Sequence, residues 1–310
     1  MSDRKNGLAA LCYERGTAMK KVIVVGSLNM DMCINAPYCP KGGETLTGGG
    51  FMTNAGGKGA NQATAAGKLG ARVLMCGCVG EDAFGGQLID SLRAAEVDTQ
   101  FVRRQKGVCT GIAVILVTGG ENRIILDKGA NACLCEEDID RVLEYAEAGD
   151  IYLTQLENPV EMIGYGLRRA KEKGLYTILN PAPADPSAAS FFRYADLITP
   201  NESELEILGG KEKIFAAGVR TIVTTLGSRG YEIADTTSAK EYPCLRVQAV
   251  DTTAAGDTVC GGLAAELARG ASLEEAMAFA SKAASIACTR KGAAQSVPTR
   301  EEVDAFRLNR

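Results

Sequence analysis

Short apolar runs rich in β-branched residues recur along the chain. Between them lie longer stretches whose apolar positions return every three or four residues. The runs Val22–Gly26, Val73–Val79, Ile112–Val117, Ile151–Leu156, Thr177–Asn180, Leu197–Thr199 and Thr221–Leu226 predict strands. They are apolar at nearly every position rather than at alternate ones, as expected of strands covered on both faces. The periodic stretches predict helices over about 59–69, 83–95, 136–148 and 160–173. Such alternation gives the α/β class, with a central, mostly parallel sheet flanked by helices. After Asp257 the pattern becomes helical, with helices over 257–269 and 273–289 separated by a turn at Gly270. Ser272 with Glu275, and Thr299 with Glu302, form capping boxes that place two helix starts.

Two stretches break the alternation. Residues 31–55 hold Pro37, Pro40 and several glycines, with strand-like pieces at Met32–Ile34 and Glu44–Thr47. Residues 108–127 read as two strands around a turn at Gly119-Gly120. Together they predict a small antiparallel sheet outside the main one, either a mobile cover over a site or an ordinary surface hairpin. Residues 1–20 lack the continuous apolar centre of a signal peptide and are expected to be a loosely ordered extension, with Met19 a second candidate start. Residues 21–310 are expected to form one domain. No apolar run reaches the ~18 residues of a membrane span, so a cytoplasmic protein without a membrane partner is expected.

Composition narrows the chemistry. The chain has no histidine, which removes Ser-His-Asp triads, Cys-His nucleophiles and His-ligated zinc together. Acid–base work must fall to a carboxylate, Lys, Tyr or Cys. The net charge of −4, without a basic block, makes nucleic acid an unexpected partner. Of the eleven cysteines, only Cys76/Cys78 and Cys133/Cys135 are close pairs, and neither is C-x-x-C, so reduced, core-filling thiols are expected.

Three segments carry candidate chemistry. Asp251-Thr252-Thr253-Ala254-Ala255-Gly256-Asp257 follows the extended run Leu245–Val250 and opens a helix of small residues. Free backbone N–H groups and the helix dipole favour an anion there, and small side chains let a phosphate approach. A carboxylate beside an anion site needs a reason: Asp257 either takes the proton of an attacking hydroxyl or merely complements the dipole. Gly56-Gly57-Lys58-Gly59-Ala60-Asn61-Gln62 opens a second small-residue helix, either as a ligand cradle or as a glycine-rich turn; it is not a Walker A loop. Asn29 and Asp31 follow the first strand, and Glu157 and Asn201 follow later ones, at the strand ends where open α/β sheets bind ligands. A dinucleotide-binding reading fails because the first strand leads into Gly26-Ser27-Leu28-Asn29, without G-x-G-x-x-G.

From about Lys21 to Phe306 the sequence resembles the ribokinase/PfkB family of carbohydrate kinases. The resemblance rests on both motifs above and on Gly26–Asp31, Asn180–Ala184, Thr199–Glu202, Thr225–Gly230 and Thr289–Ala293. It implies ATP-dependent phosphorylation of a small sugar, with D-ribose at O5 the expected acceptor. Deoxyribose, another pentose, a ketohexose or a nucleoside stays open, as does a sugar-binding protein without catalysis. By the resemblance, Asp257 is the catalytic base and Ala254, Ala255 and Gly256 form the anion hole. Asn29, Asp31, Gly57, Lys58, Asn61 and Glu157, with Asp257, contact the sugar. Asn201, Thr225, Gly227, Ser228, Gly230, Gly256 and Ser281 lie on the ATP side, with Ser281 at an adenine-side position that is often His in relatives. Glu204 organises Mg²⁺ indirectly. Asp251, Thr253, Ala287, Arg290, Gly292 and Ser296 hold an activating K⁺, several through backbone carbonyls. The resemblance also implies a small β lid, at 31–55 and 108–127, that pairs two subunits in a homodimer. The segment between Leu208 and Thr221 departs from the family by being short, so most of a peripheral helix is expected to be missing.

Overall fold

The structure, a computed structural model, describes residues 19–307. The expected loose extension at 1–20 therefore lies outside the described residues, apart from Met19 and Lys20. In chain order the elements are β1 (Lys21–Val25), β2 (Asn29–Asn35), β3 (Gly49–Gly56), α1 (Lys58–Lys68), β4 (Arg72–Gly80), α2 (Ala83–Ala94), β5 (Asp98–Gln105), β6 (Gly111–Thr118) and β7 (Glu121–Asp127). There follow α3 (Glu136–Leu143), β8 (Ile151–Thr154), α4 (Val160–Glu172), β9 (Tyr176–Leu179), β10 (Leu197–Ile198), α5 (Glu202–Ile207), α6 (Lys211–Ala216) and β11 (Thr221–Thr225). The last are β12 (Tyr231–Ala234), β13 (Ala239–Tyr242), α7 (Ala255–Ala268), α8 (Leu273–Ala287) and α9 (Arg300–Ala305).

The large sheet runs β13-β12-β11-β10-β9-β8-β1-β4-β5. It is parallel from β5 to β11, and β12 and β13 close one edge antiparallel. Alternation along β1 explains the two layers. Val22 and Val24 enter a core shared with α1, α2, α7 and α8, while Ile23 and Val25 enter one shared with α3 and α4. Both sets are fully buried, which is why the strand reads as an unbroken apolar run.

The small sheet runs β3-β2-β6-β7. It is mixed rather than antiparallel as expected, because β2 and β6 pair in parallel from Asn29↔Gly111 onward. β2 follows β1 with only Gly26, Ser27 and Leu28 between them, so the chain leaves the large sheet and enters the small one within one short turn.

Helices α1 and α7 approach very closely. A Cβ on Gly261 would meet the Gln62 carbonyl at 2.5 Å and Ala65 Cβ at 2.6 Å. Small residues on both helices therefore allow a backbone approach that larger ones would block.

The remaining expectations meet the structure unevenly. Both capping boxes form. Glu44–Thr47 is not a strand; its Glu44 accepts from Lys41 N–H and Tyr38 in a local turn. Leu245–Val250 is irregular, and α3 ends at Leu143 rather than near 148. The short segment after Leu208 keeps a helix, α6, of six residues. The described cysteines are free thiols. Among the described residues, no helix is long and apolar enough to cross a membrane.

Candidate active site

Asp257 sits in the first turn of α7, which begins unusually. Ala254 caps the helix in the left-handed region, at φ 56° and ψ 17°. A residue with a Cβ rarely adopts that conformation, and such strain gathers at functional sites. The i→i−4 ladder starts with Thr258 N–H donating to Ala254 O at 2.8 Å. The Gly256 and Asp257 N–H groups therefore have no acceptor inside the helix. The Ala255 N–H turns back to Thr252 O at 3.2 Å.

The Asp257 carboxylate is almost fully buried and is held on both oxygens. Asn61 Nδ2 donates to Oδ2 at 3.0 Å and Gln62 Nε2 donates to Oδ1 at 2.9 Å. The tight α1–α7 contact brings these amides to the Asp257 carboxylate. Asn61 Oδ1 is buried without a partner, an acceptor waiting for a donor.

The strand-end residues collect beside it. Asn29 is buried at the first position of β2, and its Oδ1 accepts from Asn131 Nδ2 at 2.8 Å. Asn131 also grips the Leu28 main chain, accepting its N–H at 2.9 Å and donating to its carbonyl at 3.0 Å. With its oxygen taken, Asn29 presents its NH2 group. Gly56 must lack a side chain, because a Cβ there would meet Asp31 Oδ2 at 2.3 Å. At Gly57, φ is +90°, and a Cβ would meet Asn29 N at 2.7 Å. Glu157 accepts from Ser27 Oγ and from Lys58 N–H at 3.1 Å, tying the end of β8 to the start of α1.

Crowded carboxylates set the electrostatics. Burial, then the charges of Glu157 and Asp257, push the Asp31 carboxyl up to about 7. Burial would pull the Lys58 amine down, but Asp257, Glu157 and Glu204 around it outweigh this and hold it above its usual value. Burial also raises Glu204, against a hydrogen bond from Asn201 and the charge of Lys58.

Lys58, Asn201, Glu204, Thr225, Gly256 and Asp257 line one cleft of ≈ 200 Å³, together with Ala254 and Ala255. Asn201 and Glu204 cap α5 reciprocally, Asn201 Oδ1 accepting at 2.8 Å and Glu204 Oε2 at 2.9 Å. That leaves the other Glu204 oxygen free for a hydrated divalent ion. Gly227, Ser228 and Gly230 form the turn after β11, beyond the lining of that cleft. Gly230, at φ +113°, has no room for a Cβ, which would meet Tyr242 O at 2.0 Å. Ser281 is buried in α8, away from the cleft lining.

The segments 251–253 and 287–296 meet at Asp251, just ahead of α7 in the chain. Asp251 Oδ1 accepts from Thr253 N at 2.9 Å and Thr253 Oγ1 at 2.6 Å, and Oδ2 accepts from Gly292 N at 3.0 Å. Burial would raise Asp251, but these hydrogen bonds hold it below the usual carboxylate range. The Ala287 carbonyl accepts from Arg290 N at 2.9 Å, and Ser296 Oγ donates to Ala293 O at 2.8 Å. A carbonyl keeps a second lone pair, so one carboxylate amid neutral oxygens is a donor set that fits a hard monovalent cation. The Arg290 guanidinium is paired with Glu302, leaving its main chain as the available donor.

Sequence pattern assigns no role to Gln62, Gln155, Asn180 or Asn131. Buried amides far apart in sequence leave no spacing signal. Gln62 lies at the end of the glycine-rich segment Gly56–Gln62, and its place one residue after Asn61 is its one signal.

A model of the pfkB family carbohydrate kinases matches residues 19–300. The ribokinase of Haemophilus influenzae is 39% identical over 300 residues, covering 93% of this chain and 98% of that one. The deoxyribokinase of Salmonella typhi is 35% identical over 299 residues, covering 92% and 98%. The structure of Arabidopsis thaliana ribokinase complexed with ribose and ATP matches with a TM-score of 0.82 at 31% identity, covering 94% of this chain and 100% of that one. A match running from β1 to α9, in a chain whose two glycine-containing helix starts converge on one buried aspartate, places this chain in the pfkB family of carbohydrate kinases.

Proposed function

We propose that this chain transfers the γ-phosphoryl group of ATP to O5 of D-ribose, giving D-ribose 5-phosphate and ADP. The carrying observation is the position of Asp257. Its buried carboxylate stands at a helix start with free N–H groups, in the cleft it shares with Asn201 and Glu204, and near enough to Asp31 for the two charges to interact. Asp257 takes the O5 proton as the O5–Pγ bond forms and the bond from Pγ to the β–γ bridging oxygen breaks. The N–H groups of Gly256 and Asp257 face the charge that develops on the transferring group. Ala254 contributes the sharp turn that exposes them.

The sugar side is built for a small polyol. Asn29 offers donors, Asp31 and Glu157 offer acceptors, Asn61 offers an oxygen, and Gly57 and Lys58 close the floor. On the nucleotide side, Asn201, Thr225, Gly227, Ser228 and Gly230 follow β10 and β11, and Ser281 lies toward the base. Glu204 would organise Mg²⁺, which would supply charge neutralisation at the phosphates. Asp251, Thr253, Ala287, Arg290, Gly292 and Ser296 would hold K⁺. The lid segments pair two subunits as a homodimer.

The 35% identity to a deoxyribokinase makes 2-deoxy-D-ribose the competing acceptor. ADP release from MgATP, measured with ribose, deoxyribose, ketohexoses and nucleosides, each with and without K⁺, tests the reading. K⁺-stimulated turnover on D-ribose is expected. Preference for another acceptor moves the substrate, and binding of ribose without turnover on any acceptor removes the kinase reading.

A further inference from the structure

Gln62 is fully buried and does not line the cleft, yet it bonds directly to the proposed base. Its amide orientation is fixed from behind. Gln155, just beyond β8, donates from Nε2 to Gln62 Oε1 at 2.6 Å. The Gln62 oxygen thus faces a donor, and its NH2 must face the other way. One N–H goes to Asp257 Oδ1 at 2.9 Å and the other to Asn180 Oδ1 at 3.1 Å. Asn180 is oriented in turn by donating to Thr199 O at 2.9 Å. These amides join the ends of β8, β9 and β10 beneath the carboxylate. Gln155 itself is closely confined: a Cβ on Gly26 would lie 2.2 Å from its Oε1.

We infer that Gln62 is a positioning residue for the phosphoryl transfer. By holding Oδ1, it fixes the plane of the Asp257 carboxylate and assigns the attacking hydroxyl's proton to Oδ2. Oδ2 accepts only from Asn61, at the sugar side, and keeps a further lone pair. The Gln155–Gln62–Asn180 relay anchors this geometry to the rigid sheet instead of to a loop. The inference rests on Asp257 acting as the base.

The test is a double-mutant cycle of Gln62→Met and Asp257→Asn, with kcat, the ribose Kd and thermal stability measured for each. Met matches the shape of Gln without its donors. Gln62→Met is expected to lose about 10–10²-fold in kcat, the scale of a misplaced catalytic group, with ribose and ATP binding kept. In the Asp257→Asn background, the same change is expected to cost almost nothing further, because the two residues act as a unit. A folded Gln62→Met enzyme with kcat within about threefold of wild type overturns the inference. So does an equal loss in both backgrounds, which a purely structural role would give. If Gln62→Met does not fold, Gln155→Met decides: a smaller kcat loss that vanishes in the Asp257→Asn background supports the relay, and unchanged kcat sinks it. Wild-type turnover is measured alongside. Should another sugar be the substrate, the cycle is run on that sugar, and the substrate assignment fails without deciding this inference.

Discussion

Asp31 places two demands on one carboxyl. In the proposed reading it accepts sugar hydroxyl hydrogens as an anion, yet burial and the nearby charges of Glu157 and Asp257 push it up to about 7. The folded protein holds a proton on Asp31 between about pH 4 and 7, where the unfolded chain has released it. Its contribution to stability therefore falls as pH rises through that window. Asp31→Asn is expected to raise the melting temperature of the ligand-free protein at pH 8 relative to pH 5, while raising the KM for ribose. Melts whose mutant–wild-type difference does not change with pH would refute this account. Asp257→Asn is expected to lose about 10²–10⁴-fold in kcat with ribose binding retained; near-normal turnover would remove the base assignment. Asn29, Asp31 and Glu157 stand out in the sequence because polar residues at the ends of apolar strands are conspicuous, and Asp257 because it opens a helix of small residues. Gln155 and Asn131 do not, because the meaning of a buried amide lies in its partner, and their partners are Gln62 and Asn29, far away in the chain.

At the scale of elements, the α1–α7 contact sets the spacing between the two motifs. Gly261→Val would drive a side chain into the Gln62 carbonyl and Ala65. Overpacking of that kind costs about 1–3 kcal/mol. A lower melting temperature together with reduced kcat is expected, since the helix that yields carries Asn61 and Gln62. Unchanged kinetics in a destabilised variant would mean that the contact serves stability alone. The buried strands β1, β4, β8, β9 and β11 could be read directly because both faces are apolar. β5, β12 and β13 could not: segments such as Asp98–Gln105 and Ala239–Tyr242 lie at the sheet edges, carry polar residues, and lack the apolar signal. The parallel pairing of β2 with β6 was also hidden, because sequence pattern marks a strand without naming its neighbour.

At the scale of the molecule, one of the two segments proposed to hold K⁺, 251–253, leads directly into the Ala254 turn that starts α7, so a cation there would act on that turn through backbone geometry. Asp251→Asn is expected to abolish K⁺ stimulation while sparing K⁺-independent turnover; stimulation retained in full would move the cation elsewhere. The small sheet exposes Phe51, Met52, Ile124 and Ile125, the last 74% exposed; the consecutive Ile124 and Ile125 leave apolar surface on both faces of β7, and the proposed dimer would cover some of it. Ile125→Lys is expected to halve the mass seen by light scattering, and a monomeric wild type would withdraw the dimer. The hand-over from β1 to β2 has an optical consequence. Asn29 and Asp31 belong to the same strand that forms the middle of the lid, with three residues separating it from the large sheet. In the proposed reading, a sugar seated on those side chains would pull directly on the small sheet. The chain contains no tryptophan, so a single indole introduced as Phe51→Trp would fluoresce against a dark background. Its emission, recorded at fixed protein concentration while ribose is mixed in, would time the seating of the sugar separately from the transfer of phosphate.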